Sequence, residues 1–503
     1  MLHYKFLNMT SDNTDKNVYK DSLKATGLFG GVQVINIMIQ LVKSKIIAIL
    51  LGPSGMGIYG LFTQTEAMIR SCTSFGLSSS AVRNISEARG TGNQDRIIAI
   101  TSVFRKIIWI TGIFGTLVCM FGAPIWSKIA FGNYYYTLGF IILSSALLFQ
   151  QLSLGQTAIF QGLQKYTMMA KSNVLGSFMG LLVSIPLYFI WKEDAIVPVL
   201  LLSSFVTFLV TNYYFRKLSL LKQQVNKSTF VKESKNMIIM GLSISLSGIV
   251  ETIVAYYIRI YIGNIGGLFE VGLFTAGFAV VETYIGLVMT SMGSDYYPRL
   301  SGMINDKGKF NQTINGQLEI SLLLIAPIIS IFIVMLELII VILYSDEFLL
   351  AEGMMLWAVY GCFFKIIGWC LGYTILAKGD YKAFICNELC AKLYTVPLKL
   401  IGYSLYGLTG IGIAYLIGYI IYSVQVYLVC YKRYNVQIGG ISIKLFAKFL
   451  PFLSICLLVT SLMNSYLRYI IGLPFVFICF MLSYIELRKI VDFKAFIKSK
   501  ITR

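Results

Sequence analysis

The sequence has little histidine and little charge: of its 503 residues, one is histidine and 13% are charged. The single histidine, His3, lies in a polar leader, which excludes a histidine-based metal site and a Ser-His-Asp triad. No two of the nine cysteines form a C-x-x-C pair, and nearly all lie in apolar segments as small core residues. No G-x-x-x-x-G-K-[ST] motif is present, which excludes ATP hydrolysis by a P-loop.

Apolar residues dominate instead. The mean hydropathy is +0.74 and 57% of residues are hydrophobic, which is typical of an all-α polytopic membrane protein. We predict fourteen transmembrane helices, and polar residues interrupt the first, third and ninth enough to predict kinks or re-entrant segments there. The predicted spans are 25–51, 56–79, 98–122, 136–160, 172–191, 195–215, 237–262, 267–293, 316–344, 353–377, 382–404, 408–430, 445–464 and 469–487.

The net charge of +19 would suggest nucleic acid as partner in a soluble protein, but here the position of each cation matters. Most of the 42 Lys and Arg residues fall in the leader, the tail and alternate loops, whereas the opposite loops contain three, Lys128, Lys192 and Arg468. By the positive-inside rule, both termini are cytoplasmic. We expect a multi-pass protein of the bacterial cytoplasmic (inner) membrane with no nucleic-acid partner.

The largest basic loop separates two lobes. We predict a cytoplasmic leader, an N-lobe with six spans, a basic linker that meets anionic lipid, a C-lobe with six spans, two extra C-terminal helices and an amphipathic cytoplasmic tail. The boundaries are 1–22, 23–215, 216–236, 237–431, 432–487 and 488–503. In the fifth span, Gly176 and Gly180 predict a small-xxx-small packing face.

A weak internal sequence repeat supports two lobes. The segment from Leu51 to Phe62 resembles Ile262–Gly267 running into Val271–Phe274. Each copy is followed by a hydrophobic span that ends in a basic turn, at Arg83 and Arg299. The offsets between the copies are 212 and 216 residues, as a parallel repeat of six spans plus six would leave.

Several charged residues lie inside the spans, where each costs about 2.5–3.5 kcal/mol unless it faces a water-filled cavity. Glu251, Arg259 and Glu282 are among them and lie in the run 240–301. Within the predicted spans, cations outnumber acids. Such a polar, cationic interior indicates a transporter of an anionic substrate.

Spacing suggests which polar groups share a helix face. Gln33, Asn36, Gln40 and Lys43 form one polar stripe, which cannot face lipid. Glu66 with Arg70, and Glu388 with Lys392, are four residues apart and can pair. Such pairs either neutralise one another structurally or belong to a site. Tyr256, Tyr257 and Tyr261 either anchor the helix at the interface or stack on a sugar ring.

Three short segments carry a family resemblance. The run Lys43–Gly57 (KSKIIAILLGPSGMG), the tripeptide Phe75–Leu77 (FGL) and Tyr297–Ser301 (YPRLS) are similar to Wzx-type O-antigen and polysaccharide flippases of the multidrug/oligosaccharidyl-lipid/polysaccharide (MOP) exporter superfamily. The resemblance implies two six-helix lobes in an inverted V, with spans one, two, seven and eight lining a cationic cavity. It further implies alternating-access movement of an undecaprenyl-diphosphate-linked oligosaccharide to the outer leaflet.

Candidate site residues follow from the charge pattern and the resemblance. Lys45 and Arg299 lie in matching motifs, whereas Arg70, Glu251, Arg259 and Glu282 lie only in matching spans. The candidate substrate-binding residues are Gln33, Asn36, Gln40, Lys43, Lys45, Arg70, Arg259, Arg299, Lys365, Lys392 and Lys399. The candidates for coupling to Na⁺ or H⁺ are Glu66, Glu251, Glu282 and Glu388.

No bond is made or broken in such transport, so we predict neither catalytic residues nor a cofactor; an ion gradient or the membrane potential would drive it. The expected partners are a lipid-linked oligosaccharide, membrane lipids and other polysaccharide-assembly membrane proteins. Two alternatives stay open. A drug exporter of the related multidrug-extrusion type shares the twelve-span core, but its cavity should be acidic. A glycan polymerase or acyltransferase would need a long outer loop and a membrane histidine.

Overall fold

The computed structural model describes the backbone of residues 2–218, 227–463 and 465–490, and side chains from residue 35 onward except those of 227–229, 284, 287, 294, 465 and 490. Within these ranges the chain is helical and contains no β-strand, which confirms the all-α prediction. In a bilayer, backbone polar groups must be satisfied within each segment, and an α-helix does this. The predicted tail and most of the linker lie outside the described residues.

The helices are numbered in chain order. They are α1 (Leu2–Ser74), α2 (Leu77–Gly90), α3 (Gln94–Phe121), α4 (Ala123–Phe131), α5 (Thr137–Gly162), α6 (Tyr166–Trp191), α7 (Ile196–Arg216), α8 (Lys227–Ser301), α9 (Lys307–Val334), α10 (Leu336–Leu343), α11 (Glu352–Ala377), α12 (Tyr381–Tyr434), α13 (Gly440–Leu462) and α14 (Ser465–Ile490). Short 3₁₀-helices cover Lys192–Ala195 and Asp346–Ala351.

Ten helical runs of the described residues are long and apolar enough to cross a membrane. Four of them hold 40, 51, 72 and 54 residues, each at least twice the roughly 20 residues that one crossing needs. Each of these four contains a turn where the sequence separates two predicted spans, at Gly52, Lys192, Gly267 and Gly407. The total of fourteen crossings stays a prediction.

The turns in α1 and α8 share one backbone conformation. Gly52 has φ 62° and ψ −169°, and Gly267 has φ 75° and ψ −175°, a region that only glycine enters readily. These two glycines are 215 residues apart, which changes the alignment of the internal sequence repeat. Gly52 corresponds to Gly267 rather than to Gly263. The same offset pairs Gly57 with Gly272.

The predicted interruptions are confirmed for the ninth span only. A break at Met335 separates α9 from α10. The first and third spans show no kink, because α1 is continuous up to Gly52 and α3 runs unbroken through Arg105 and Lys106. Those two cations lie against aromatic rings, Arg105 over Phe215 and Lys106 over Phe230, and therefore need no break in the helix.

The chain forms two compact units. The first unit contains residues up to Leu51 and Ile58–Ile260, and the second contains Gly52–Gly57 and residues from Tyr261 on. The first part of α8 thus packs with the first unit, where Gly241 meets the backbone at Gly76 with no room for a side chain on either glycine. The predicted lobes follow the order of the spans along the chain, and their boundary at 216–236 stays a prediction.

Helices α6 and α7 pack closely in the first unit. A methyl group added at Gly176 would lie 3.1 Å from Thr207, and one at Gly180 would lie 3.4 Å from Ser203. The predicted packing face is therefore confirmed. This close approach places the hydroxyl groups of α7 beside α6, where they line the cavity described next.

Candidate functional site: a polar cavity and a lysine–tyrosine cluster

The first unit encloses a cavity of about 540 Å³ between the two halves of α1 and helices α5, α6 and α7. We call it the polar cavity. It is lined by Gln40, Lys43, Tyr59, Thr63, Glu66, Arg70, Gln150, Ser153, Leu154, Thr157, Asn173, Ser177, Leu200, Ser203, Ser204, Thr207 and Thr211. Every one of these residues except Leu154 and Leu200 carries a polar side chain. Helices of such high mean hydropathy converge on a polar space only if that space is wet or holds a polar ligand.

A charged group lies in the wall of the polar cavity. The Arg70 guanidinium donates to Oε1 of Gln150 and lies 3.9 Å from the Glu66 carboxylate, which is 2% exposed. The predicted pairing of Glu66 with Arg70 is thus confirmed. Lys43 Nζ lies 5.7 Å from the centroid of the Tyr59 ring. With two cations and one carboxylate, the wall has a net charge of one positive unit and favours an anion.

Hydroxyl groups make up much of the remaining wall. Thr63, Thr157 and Thr207 donate to carbonyl oxygens four residues earlier in their own helices, at 2.8–2.9 Å. Each hydroxyl oxygen keeps lone pairs that accept hydrogen bonds. Ser204 Oγ accepts from Gln150 Nε2 at 3.1 Å. The wall therefore offers acceptors on hydroxyl oxygens and donors on amide and guanidinium groups, a combination that suits sugar hydroxyls.

The second unit contains a different cationic site, which we call the lysine–tyrosine cluster: Lys365, Lys399, Tyr415 and Tyr419. Lys365 Nζ donates to the Tyr415 hydroxyl at 3.2 Å and lies 5.2 Å from the Tyr419 ring centroid. Lys399 Nζ lies 5.8 Å from the Tyr415 ring centroid. An aromatic face attracts a cation but does not neutralise its charge, so the site stays cationic.

Two of the predicted coupling carboxylates lie in the second unit. Glu388 accepts a hydrogen bond from the Tyr422 hydroxyl at 2.5 Å, and the Tyr422 ring is 6.1 Å from that of Tyr419. The side chain of Glu282 is exposed and close enough to Lys365 to interact electrostatically. The half-buried Lys392 lies one turn after Glu388 on α12.

Several other predicted residues lie outside the polar cavity and the cluster. Arg259 donates to the carbonyl of Ala255 in its own helix at 3.2 Å. Arg299, at the end of α8, donates to Gln317 at 2.8 Å and lies 3.4 Å from Asp295. The positions of the rest are simpler: Lys45 and Glu251 are exposed, Asn36 is half-buried, and the side chain of Gln33 lies outside the described residues.

Sequence reasoning missed Gln150, the direct partner of Arg70. The available signal was the adjacent pair Gln150 and Gln151 within a predicted span. It also missed Tyr415 and Tyr419, which are four residues apart and therefore share a helix face. Tyrosine is common in membrane helices, so the sequence by itself did not separate these rings from ordinary interfacial anchors.

The helices and their polar interior define a class, a multi-pass membrane transporter. Residues 46–352 match the family model described as polysaccharide biosynthesis protein, and the chain belongs to that family. A Shigella flexneri protein named as a candidate O-antigen transporter is 25% identical over 377 residues, which cover 73% of this chain and 87% of that protein. The resemblance to Wzx-type flippases of the MOP superfamily is confirmed.

Two solved structures share the fold. An inward-facing multidrug resistance MATE family transporter of the MOP superfamily superimposes with a TM-score of 0.67 and 16% identity, covering 80% of this chain and 98% of that one. The lipid II flippase MurJ in an inward closed conformation gives a TM-score of 0.65 and 15% identity, covering 93% and 99%. At these identities the comparison establishes the fold.

Proposed function

We propose that this protein moves an undecaprenyl-diphosphate-linked oligosaccharide from the inner to the outer leaflet of the bacterial cytoplasmic membrane by alternating access. The membership in a polysaccharide biosynthesis family and the similarity to a protein named as a candidate O-antigen transporter support this substrate class. No covalent bond changes in this process, so no residue is assigned a catalytic role.

The observation that carries the proposal is the polar cavity with its two cations. A diphosphate carries about two negative charges, and a low-dielectric layer opposes its passage unless cations compensate them. Lys43 and Arg70 supply two positive charges on one wall, and only Glu66 opposes them. The volume of about 540 Å³ lies within the range of roughly 300–1,000 Å³ that is usual for small-ligand sites.

The first sugars of the glycan would meet the same wall. Ser177, Ser203 and Thr207 project from the α6–α7 pair, and Gln40 and Asn173 add amide groups. Sugar hydroxyls donate and accept hydrogen bonds, and this wall does both. A wall of many weak partners with few shape restrictions suits a carrier that must bind the glycan and then release it.

The lysine–tyrosine cluster offers a second cationic site for the same headgroup. Lys365 and Lys399 together carry two positive charges beside tyrosine rings, on which a sugar ring can stack. We assign to these two lysines a role in substrate contact. The other predicted contacts, including Arg259, Lys45, Lys392 and Arg299, stay predictions.

Energy coupling is proposed to act on charge. Glu66, buried beside Arg70, is positioned to respond when an anion competes for the guanidinium. Glu282 and Glu388 have the corresponding position next to the lysines of the second unit. A proton or Na⁺ taken up by one of these carboxylates would change the net charge of its site by one unit.

An in-vitro flipping assay tests the proposal. Purified protein is reconstituted into vesicles with a defined lipid-linked oligosaccharide, and its accessibility to a membrane-impermeant glycosidase is measured over time at set ion gradients. When equal amounts of reconstituted protein are compared, we expect Arg70→Ala to slow flipping at least tenfold, because it removes one of the two cations of the polar cavity. Arg259→Ala tests the predicted contact of Arg259 and is expected to slow flipping to the same extent. Arg96→Ala, a surface change beside Glu87, leaves the rate unchanged.

Two outcomes would reject the proposal. Wild-type flipping rates in both the Arg70 and the Arg259 variant would show that the cations of the polar cavity do not hold the diphosphate, which removes the observation on which the proposal rests. Efflux of organic cations by the same vesicles, without movement of the lipid-linked glycan, would instead assign the protein to the drug exporters. The net positive wall of the polar cavity argues against that outcome, because it repels a cationic drug.

A further inference from the structure

A second opening in the first unit is lined by other residues of α5 and α7 than the polar cavity. It has a volume of about 650 Å³ and lies between α3, α5 and α7; we call it the lateral cleft. On α7 it uses Leu209 and Asn212, which point away from the helix face that carries Leu200, Ser204 and Thr207 into the polar cavity. The two openings are therefore separate sites.

The outer rim of the lateral cleft faces the membrane. Trp109 is 50% exposed and Leu209 is 47% exposed, and both line the cleft. A large apolar side chain that is exposed on a membrane-spanning helix and directed away from the polar interior contacts acyl chains. An occupant can therefore reach the cleft from the bilayer.

Two arginines lie at one end of the lateral cleft. Arg105 stacks with its guanidinium carbon 5.1 Å from the Phe215 ring centroid, and Arg216 follows at the end of α7. Among the described residues, no carboxylate lines the cleft. Arginine binds phosphate through a planar fork of donors, so this end is complementary to a phosphodiester.

A pair of half-buried amides, Gln156 and Asn212, lies one helical turn deeper. Gln156 Nε2 donates to Asn212 Oδ1 at 3.1 Å, while Gln156 Oε1 is buried and has no hydrogen-bond partner among the described residues. A buried polar atom without a partner costs about 1–3 kcal/mol, and a polar group of a ligand in the cleft would remove that cost. Because an amide can flip, this pair can either donate or accept toward such a group.

We propose that the lateral cleft binds one acidic glycerophospholipid of the membrane. Its phosphodiester lies between Arg105 and Arg216, its glycerol ester oxygens meet the Gln156–Asn212 amide pair, and an acyl chain lies against Trp109. The order of these groups along the cleft, charged, then polar, then apolar, is the order of groups along a phospholipid. This site is independent of the proposed transport function.

Native mass spectrometry of the full-length protein tests this site. The protein is released from detergent in the presence of phosphatidylglycerol or of phosphatidylcholine with the same acyl chains. We expect one phosphatidylglycerol to be retained by the wild type, and retention to fall at least tenfold in the Arg105→Gln, Arg216→Gln double variant. The matched control is Arg96→Gln with Lys217→Gln, because it removes two cations from the same ends of α3 and α7 outside the cleft.

Three results would overturn the proposal. An equal loss of phosphatidylglycerol retention in the control variant would show that surface charge in general, and not the cleft, retains the lipid. Retention of glycerophosphate or pyrophosphate as strong as that of the phospholipid would show a phosphate site without a lipid. Unchanged retention in Leu209→Trp, which narrows the apolar part but keeps both arginines, would place the lipid elsewhere. Size-exclusion profiles and melting in phosphatidylcholine confirm that each variant is folded.

Discussion

Glu66 and Arg70 depend on each other inside the polar cavity. The Glu66 side chain is nearly inaccessible, so loss of its counter-ion leaves a charge buried without compensation. Removing one partner of a buried pair costs about 3–5 kcal/mol, whereas removing both costs much less. A single substitution at Arg70 therefore mixes two effects, lost stability and lost substrate contact.

A double variant separates these effects. We expect Arg70→Gln alone to lower both the amount of folded protein and glycan export. Glu66→Gln with Arg70→Gln should restore the folded protein, because no uncompensated charge remains, yet leave export at least tenfold below wild type. Membrane abundance and outer-leaflet glycan measure the two quantities. Full export by the double variant would show that Arg70 serves only to neutralise Glu66.

Lys365 allows a similar test in the second unit. We expect Lys365→Gln to lower export at least fivefold, since it removes a cation that already has a hydroxyl and an aromatic face to orient it. Lys378→Gln is the control, because Lys378 lies in the same unit at the end of α11 and donates to a backbone carbonyl, that of Ile304. Equal export by the two variants would exclude Lys365 from the substrate path.

At the scale of elements, the turns of α1 and α8 contact each other in a symmetric way. A side chain on Gly57 would collide with the carbonyl of Leu268, and a side chain on Gly272 would collide with the carbonyl of Pro53. Pro53 and Leu268 each directly follow the turn glycine of their own helix. Gly57 and Gly272 occupy the same position in the two copies of the internal repeat, and each packs against the backbone of the other copy. Only glycine fits at both positions.

Substitution at this contact should weaken the fold. We expect Gly57→Val and Gly272→Val each to lower the melting temperature in detergent, since backbone on the other side cannot give way as a flexible side chain would. The double variant should lower the melting temperature by less than the sum of the two single decreases, because either change alone already separates the turns. Gly316→Ala is the control: a Cβ there meets open space, and alanine favours a helix by about 1 kcal/mol. Additive losses would contradict a shared contact.

The last helix is attached by a buried charge cluster. Arg468, assigned to an outer loop by the charge count, lies in α14 with a side chain 9% exposed, 3.1 Å from Glu337 and 2.7 Å from Glu352. It therefore joins α14 to α10 and α11. Two carboxylates from other helices neutralise Arg468 in this buried position, and a count of charges along the chain does not reveal them.

Removing Arg468 should detach this end of α14. We expect Arg468→Met to destabilise the protein by about 3–5 kcal/mol, because two carboxylates are left together without a counter-ion. Adding Glu337→Gln and Glu352→Gln should recover most of that loss. Thermal unfolding in detergent measures both variants. If the triple variant is as unstable as Arg468→Met alone, packing of the arginine stem rather than its charge holds the helix.

At the scale of the whole molecule, the charge of the proposed substrate makes transport electrogenic. Moving one charge through 100 mV changes the free energy by about 2.3 kcal/mol, so two negative charges that move outward from a negative interior gain about 4.6 kcal/mol. We expect flipping in vesicles to accelerate when a K⁺ gradient with valinomycin makes the interior negative, and to slow when the sign is reversed. A rate insensitive to potential would show that compensating cations cross with the lipid.

The sequence alone determined the helical class, the positions of the turns between paired spans and the presence of charges inside the membrane. Lipid imposes these features locally, since each crossing needs about 20 apolar residues and a charge there is costly wherever it lies. Tertiary structure decided which charges meet. Gln150 reaches Arg70, and Arg468 reaches Glu337, because separate helices pack at angles and depths that depend on contacts such as Gly176 with Thr207. Periodicity along one helix gives the face of a side chain but not the helix opposite, so the polar cavity and the lateral cleft emerged only from the packed fold.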